Sequence, residues 1–253
     1  MMDIQKIAEM LDAAAKNAQA VPQFNLQGQL SLPDAYRVQA QAMHLRLERG
    51  AHRTGVKMGF TSRAKMIQMG IQDLIWGRLS SDMLIEEGSS IDFTRYVHPR
   101  VEPELAFVLK RPLSGNVNMV EALAAVEAIA PALEIIDSRY QDFKFTLPEV
   151  VADNASSSGY VIGPWSDPHG DFSNLGLTLN IDGRAVQVGS TAAILGHPLR
   201  SLVAAARLSA QAGEPLRAGD VVMAGGATPA EWIRPGQHVS IEMERLGSAG
   251  FYV

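Results

Sequence analysis

Arg100-Val101-Glu102-Pro103-Glu104-Leu105-Ala106-Phe107-Val108-Leu109-Lys110 reads as a β-strand. Side chains two apart on a strand share a face, so Glu102 and Glu104 project together. Leu105 to Leu109 is wholly apolar, which predicts a strand buried on both faces. Two carboxylates side by side in such a strand repel each other and lose hydration. A hard divalent cation held by oxygen ligands is the simplest compensation. The plainer alternative is a solvated edge with both charges in water.

Further charged residues stand in apolar company. Glu134 lies in Ala132-Leu133-Glu134-Ile135-Ile136-Asp137-Ser138-Arg139, which reads as a second buried strand. Asp137 is an odd number of residues away and falls on the opposite face. Three acids among aliphatic residues are harder to explain as surface than two. Lys57 sits in Thr54-Gly55-Val56-Lys57-Met58-Gly59-Phe60-Thr61, a short strand bracketed by glycines. A buried lysine shifts its protonation easily and can act as acid or base; otherwise it is a stem that snorkels from a strand edge to water. Asp82, in the turn-rich Trp76-Gly77-Arg78-Leu79-Ser80-Ser81-Asp82-Met83, is a candidate partner for that lysine or an ordinary turn aspartate. Val151-Ala152-Asp153-Asn154-Ala155-Ser156-Ser157-Ser158-Gly159 is a loop or a bed of donors for an anionic ligand.

The 253 residues suffice for one large domain, or for a small domain fused to a larger one. An apolar content of 47% against 19% charged marks a core-forming chain. A net charge of −5 without a basic run argues against nucleic acid and anionic membrane as partners. Cysteine is absent, which removes disulfides, thiolate metal sites and cysteine nucleophiles. The N-terminus carries charges where a signal peptide needs an apolar core, and no apolar run approaches a membrane span. A soluble protein of the cytoplasm is expected.

The remaining pattern predicts helices near both ends. Residues 3–18 carry an apolar stripe of Ile4, Ile7, Leu11 and Ala14 or Ala15. A second helix starts at Ser31, with Asp34 three residues on, and stops near Gly50. Ser62 caps a short helix through Met66 and Met69, and residues 119–130 form an alanine-rich one. Asp182-Gly183 marks a hairpin between Phe172–Ile181 and Arg184–Val188. A helix from Pro198 to Gln211 ends before Gly213, and strands lie at Val221–Ala224, Val239–Met243 and Phe251. The chain contains no Walker loop, no dinucleotide glycine spacing, no His-Glu-x-x-His and no Gly-x-Ser-x-Gly. The six histidines show no zinc spacing, and His197, before Pro198, reads as structural.

Glu102-Pro103-Glu104 with Glu134 downstream resembles the fumarylacetoacetate hydrolase superfamily, in its hydratase/decarboxylase branch. The likeness covers nearly the whole chain. Gly55-Val56-Lys57-Met58-Gly59, Ser81-Asp82-Met83, Asp153-Asn154-Ala155-Ser156, Leu195-Gly196-His197-Pro198 and the glycine-rich turn ending at Thr228 fall in the family's order. The resemblance implies an α+β fold: a helical N-terminal part (1–70), then a mixed β-sheet roll or barrel of the family's type (71–253) holding the site in its mouth. It also implies Mg²⁺ or Mn²⁺ on Glu102, Glu104 and Glu134, with Lys57 and Asp82 as the acid–base pair. Ser156 and Thr228 would hold a proximal carboxylate, and Lys144, Arg139 or Arg63 a distal one. Met58 after the lysine, Asp137 before Ser138-Arg139-Tyr140, and Lys144 between Phe143 and Phe145 are similar to the decarboxylase members. The implied activity is decarboxylation of 2-oxo-3-hexenedioate in meta-cleavage degradation of aromatic compounds. The alternatives are hydration of 2-hydroxypenta-2,4-dienoate and a weakly active metal-binding partner subunit. The implied partners are the small 2-oxo dicarboxylate, further copies of the chain, and the pathway hydratase.

Overall fold

The computed structural model describes residues 3–24, 28–62, 66–67 and 73–253. Its strands are β1 (Arg53–Gly59), β2 (Ile75–Ser80), β3 (Leu84–Ile85), β4 (Arg100–Leu109), β5 (Val126–Ile136) and β6 (Ser157–Ile162). After them come β7 (Gly176–Ile181), β8 (Arg184–Ser190), β9 (Val221–Met223), β10 (Glu231–Trp232), β11 (His238–Met243) and β12 (Gly247–Tyr252). The α-helices are α1 (Ile4–Lys16), α2 (Leu32–Glu48), α3 (Met119–Ala125), α4 (Leu147–Ala152) and α5 (Pro198–Gln211).

β4 is the middle of an eight-stranded mixed sheet, ordered β2-β1-β9-β4-β5-β6-β3 with β10 added to β4. Only the β1–β9 and β3–β6 pairs among these are parallel. A second sheet, β12-β11-β7-β8, packs through β11 and β12 against β5. The fold is therefore α+β, with helices at the N-terminus and a curled mixed sheet. A boundary at residue 70 does not divide that sheet, because β1 pairs with both β2 and β9 across it.

The two faces of β4 have separate fates. Val101, Leu105 and Phe107 enter the main core with Leu133, Ile135, Leu179, Ile241 and Phe251. Each such fully buried side chain contributes roughly 1.5–3 kcal/mol of transfer free energy. The other face carries Ala106, which packs with Ala132, Met223, Leu79, Met83 and Tyr160 in a small apolar plug. Glu102 and Glu104 share that second face, so the plug strips water from beneath them. β4 is buried on both sides, as its composition predicts.

The N-terminal helices form a separate apolar cluster, with Ile7, Leu11 and Val38 against Tyr140 and Val151. Ser31 caps α2 by accepting from Asp34 N at 3.2 Å. Gln39, buried on α2, donates to the Trp76 and Val151 carbonyls at 3.1 and 2.7 Å, which ties α2 to β2 and α4. The hairpin turn holds Asp182 and Gly183 at φ 52° and 72°, the left-handed pair a two-residue turn requires. α5 ends as expected, with Gly213 at φ 77°. His197 caps α5, its Nδ1 accepting from Leu199 N at 3.1 Å.

Three expectations are corrected. The alanine-rich helix stops at Ala125, and residues 126–130 begin β5, where they pair with Leu109–Ala106 of β4. Alanine's helix preference yields there to a long partner strand with open hydrogen bonds. Residues 76–80, read as turns, are a strand buried throughout and paired with β1. The cluster at 151–159 is not one loop: it is the end of α4, a tight turn and the start of β6. The helix expected from Ser62 through Met69 lies mostly outside the described residues.

Candidate metal centre and active site

The antiparallel register sets Glu102 directly opposite Glu134, with Glu104 the next residue on the same face of β4. The three carboxylates offer oxygens that all lie within 4.8 Å of one another. Glu104 and Glu134 are fully buried and Glu102 is half-buried. Each buried acid has one oxygen held by the protein. Gly225 N donates to Glu104 Oε2 at 2.7 Å, and Ser157 Oγ donates to Glu134 Oε1 at 2.8 Å. Glu104 Oε1 has no partner, and Glu134 Oε2 is met only by the Lys57 ammonium, 2.9 Å away. A buried carboxylate oxygen without a donor is costly, and three clustered carboxylates exceed the one ammonium beside them; a hard cation satisfies both. The donor set therefore fits a divalent ion.

The glycine-rich turn shapes this centre. Gly225 presents its N–H to Glu104 at φ 108°, where a Cβ would stand 2.3 Å from Thr61 Oγ1. A Cβ on Gly226 would stand 2.9 Å from Glu102 Oε2. Side chains at either position would displace the strand's carboxylates or the turn itself.

Lys57 points into the same centre from β1. Its Nζ pairs with Glu134 Oε2 at 2.9 Å and donates to the Ala155 carbonyl at 3.1 Å. Burial pushes the lysine down, but the charges of Glu134, Glu104 and Glu102 outweigh it, so the ammonium is held above its ordinary range. Burial, then the Glu134 charge, lift the Glu104 carboxyl well above the usual carboxylate range, against the pull of Lys57.

A cavity of about 110 Å³ opens beside these groups, lined among others by Lys57, Glu102, Phe143, Phe145, Ser156 and Gly226. Strained backbone surrounds it. Phe60, Phe143, Ala155 and Ser156 all line it with φ between 51° and 59°. Asn154, Ala155 and Ser156 are three successive left-handed residues, a conformation that costs about 1–3 kcal/mol each and persists only where the surroundings enforce it. Arg139 supplies that enforcement. Its guanidinium binds the Asp153 carboxylate, the Asp137 carbonyl, the Asp153 carbonyl at 2.6 Å and Ser158 Oγ at 2.5 Å.

The expected site residues separate on this map. Lys57, Glu102, Glu104, Glu134 and Ser156 come together. Ser156 Oγ is buried without a partner, on the cavity wall. Asp82 does not join Lys57: it accepts from Ser80 Oγ at 2.7 Å and pairs with Arg46 at 2.8 Å. Asp82 and Arg139 line a different, polar cavity of about 410 Å³ under α1 and α2. The larger of these two cavities is thus not the one that opens beside Glu102 and Lys57. Asp82 leaves the lysine because the turn after β2 sends it towards α2, whereas Glu134 reaches Lys57 across the sheet's inner face. Arg139 is committed to the turn it braces. Lys144 is exposed, with Asp142 4.0 Å away. Thr228 donates to the Pro229 carbonyl at 3.0 Å. Arg63 lies outside the described residues. Sequence reasoning singles out Ser156 but passes over Ser157, which holds Glu134, and Arg100, two residues before Glu102 on the same face. An i, i+2 count along β4 would have raised Arg100.

Residues 55–253 match the model of the fumarylacetoacetate (FAA) hydrolase C-terminal family. A 4-oxalocrotonate decarboxylase of a Pseudomonas species is 58% identical over 250 residues, covering 99% of this chain and 98% of that one. A 2-keto-4-pentenoate hydratase of Paraburkholderia xenovorans is 36% identical over 222 residues, 87% of this chain and 82% of the hydratase. The solved 4-oxalocrotonate decarboxylase of Pseudomonas putida G7, complexed with magnesium and adipate, superposes with a TM-score of 0.95 at 35% identity, covering 98% of this chain and 96% of that one.

Proposed function

The chain belongs to the fumarylacetoacetate hydrolase family, and on that footing we propose that it is a metal-dependent decarboxylase converting 2-oxo-3-hexenedioate (4-oxalocrotonate) to 2-hydroxypenta-2,4-dienoate and carbon dioxide. The observation that supports the metal-dependent chemistry is the glutamate cluster, with Glu104 Oε1 buried without a partner and Glu134 Oε2 met only by the Lys57 ammonium. The preference for decarboxylation over hydration rests on 58% against 36% identity.

Glu102, Glu104 and Glu134 would hold Mg²⁺ or Mn²⁺, which when bound acts as a Lewis acid on a 2-oxo acid and draws electron density towards its 2-oxygen. The substrate is a vinylogous β-keto acid. Its C5–C6 bond breaks, that pair becomes the C4–C5 double bond, and the conjugated system delivers charge to the 2-oxygen. Lys57 is the proton source for that oxygen, since its ammonium is buried at the cluster and kept charged by it. The product leaves as the dienol, so no carbon needs protonation. Ser156 Oγ, uncommitted on the cavity wall, donates to the carboxylate next to the 2-oxo group. The plug of Ala106, Ala132 and Met223 keeps bulk water from beneath the reacting chain. Asp82 has no part in this scheme.

Purified protein with Mg²⁺, offered 2-oxo-3-hexenedioate and 2-hydroxypenta-2,4-dienoate separately, tests the reading. Carbon dioxide from the first, lost with a chelator, is the expected result. Hydration of the second without carbon dioxide from the first would make the chain a hydratase. Silence on both would favour a partner subunit, and adding the pathway hydratase would then be the next arm. The reading also carries a homo-oligomer in the cytoplasm, which light scattering and fractionation address.

A further inference from the structure

Arg100 stands on the same face of β4 as Glu102 and Glu104, one strand step outward from the carboxylate cluster. Its guanidinium carbon lies 4.2 Å from the Phe143 ring centre and 4.0 Å from the Trp232 ring centre. Those rings stand 6.1 Å apart at 81° to each other, so they form a corner with the cation seated in it. His98 packs on both rings and closes the corner's base, at 5.2 Å from Phe143 and 6.3 Å from Trp232. Phe143 also lines the cavity beside Glu102, so one ring wall is shared by the cavity and the cation.

The guanidinium makes no hydrogen bond or ion pair among the described residues, and its Nε is buried without a partner. Arg139 is held by four hydrogen bonds within the turn it braces, and Lys144 is exposed beside Asp142. Stacking on rings occupies the flat faces of a guanidinium and leaves its N–H edges free for a planar carboxylate. The backbone keeps Phe143 in place at a cost: Asp142 and Phe143 are both left-handed, at φ 58° and 56°. Strain held next to an uncommitted cation points to a function for that cation.

Charge and length agree with this. Three carboxylates, one ammonium and one divalent ion sum to no net charge, so a substrate with two carboxylates needs a further cation. Successive same-face residues on a strand are about 6.8 Å apart. A six-carbon chain of bonds about 1.5 Å long spans roughly 6 Å end to end. With its 2-oxo end at Glu102–Glu104–Glu134, a chain of that length laid along β4 would reach Arg100.

We propose that Arg100, presented by Phe143 and Trp232, is the residue that receives the distal carboxylate and selects dicarboxylates over monocarboxylates. This rests on the 2-oxo acid reading of the glutamate cluster. The contact is with the group that leaves, so a strong bond would stabilise the ground state and slow the reaction. A half-buried, ring-stacked cation binds without that penalty becoming large, and its effect falls on KM rather than kcat.

The test uses the full chain loaded with Mg²⁺, with calorimetric binding of adipate and of 2-oxopentanoate, and steady-state decarboxylation, for wild type, Arg100→Gln and Arg100→Lys. Arg100→Gln should weaken adipate about tenfold, the loss of one charge-assisted contact, and leave 2-oxopentanoate and Mg²⁺ affinity within twofold. KM for 2-oxo-3-hexenedioate should rise in step, with kcat unchanged or higher. Arg100→Lys should fall between the two and guards against a glutamine variant that does not fold. Equal loss of both ligands, a fall in kcat with KM unchanged, or unaltered adipate binding in either folded variant would overturn the proposal. If wild type fails to decarboxylate but still prefers the dicarboxylate, and the variants lose that preference, the activity reading falls and the Arg100 assignment stands.

Discussion

Glu104→Gln should have opposite effects on the metal-free and metal-loaded protein. Glu104 Oε2 accepts from Gly225 N at 2.7 Å, and a glutamine must keep its carbonyl there to satisfy that buried N–H. Its NH₂ then occupies the place of Oε1, the oxygen without a donor, and aims two hydrogens at the ion site. Loss of that ligand should weaken Mg²⁺ by at least the roughly 10–100-fold that supporting residues alone command. Without metal the sign reverses. Burial and the Glu134 charge raise the Glu104 carboxyl, so ionising it in the folded state opposes folding. That carboxyl's contribution to stability is full below its unfolded pKa and is lost as pH rises through the folded one. The neutral amide removes this loss, and the metal-free variant should be between unchanged and about 2 kcal/mol more stable at neutral pH. Thermal unfolding with Mg²⁺ and with chelator reads both effects. At a hundred times its Kd the ion adds about 2.7 kcal/mol to the wild type. For a chain of this size that is a rise of roughly 5–10 °C, which Glu104→Gln should lack. A variant that keeps the full Mg²⁺-induced rise would refute the ligand assignment. One that loses more than about 2 kcal/mol without metal would show the carboxylate to be a structural group instead.

Ser157→Ala removes the donor to Glu134 Oε1 and should lower Mg²⁺ affinity about 10–100-fold in a direct titration; unchanged affinity would detach Ser157 from the centre. Asp82→Asn should keep kcat within a few-fold and cost no more than about 1 kcal/mol, because it touches Arg46 and Ser80 rather than Lys57. A hundredfold loss of turnover in that variant would restore Asp82 to the acid–base machinery. Glu214 holds the buried Arg78 at 2.9 and 2.5 Å, and although its burial opposes ionisation, the bond and charge of Arg78 keep its carboxyl below the usual range. The stability this pair contributes is present above the unfolded carboxyl's pKa and is lost as pH falls through the folded one. Glu214→Gln should therefore destabilise by about 1–3 kcal/mol at pH 7 and flatten the acid side of a stability–pH curve. An unchanged acid limb would remove Glu214 from that balance.

Local rules worked where one residue's neighbours decide its place. The period of two put Glu102 and Glu104 on one face and separated Glu134 from Asp137, whose carboxylate accepts from Val97 N and His98 N away from the cluster. Ser31, Asp182-Gly183 and Gly213 marked a cap, a turn and a helix end, because such choices depend on a few consecutive dihedrals. They failed at residues 126–130 and 76–80, where the deciding hydrogen bonds come from a strand elsewhere in the chain.

From the sequence alone follow the apolar company of three glutamates and a lysine and the family's motifs in order, and through that resemblance the α+β class. Alternation, propensity and composition are properties of neighbouring residues. Tertiary structure alone decided which partner each charge took. Register set Glu134 opposite Glu102, the inner face of the sheet carried Lys57 to Glu134 instead of Asp82, and Arg78 found Glu214 across 136 positions. It also folded Asn154–Ser156 into a left-handed turn and drew Phe143 and Trp232 together around Arg100. Those pairings depend on contacts between segments far apart in the chain, where the energy of a buried charge is settled by whatever group the fold brings within a few ångströms.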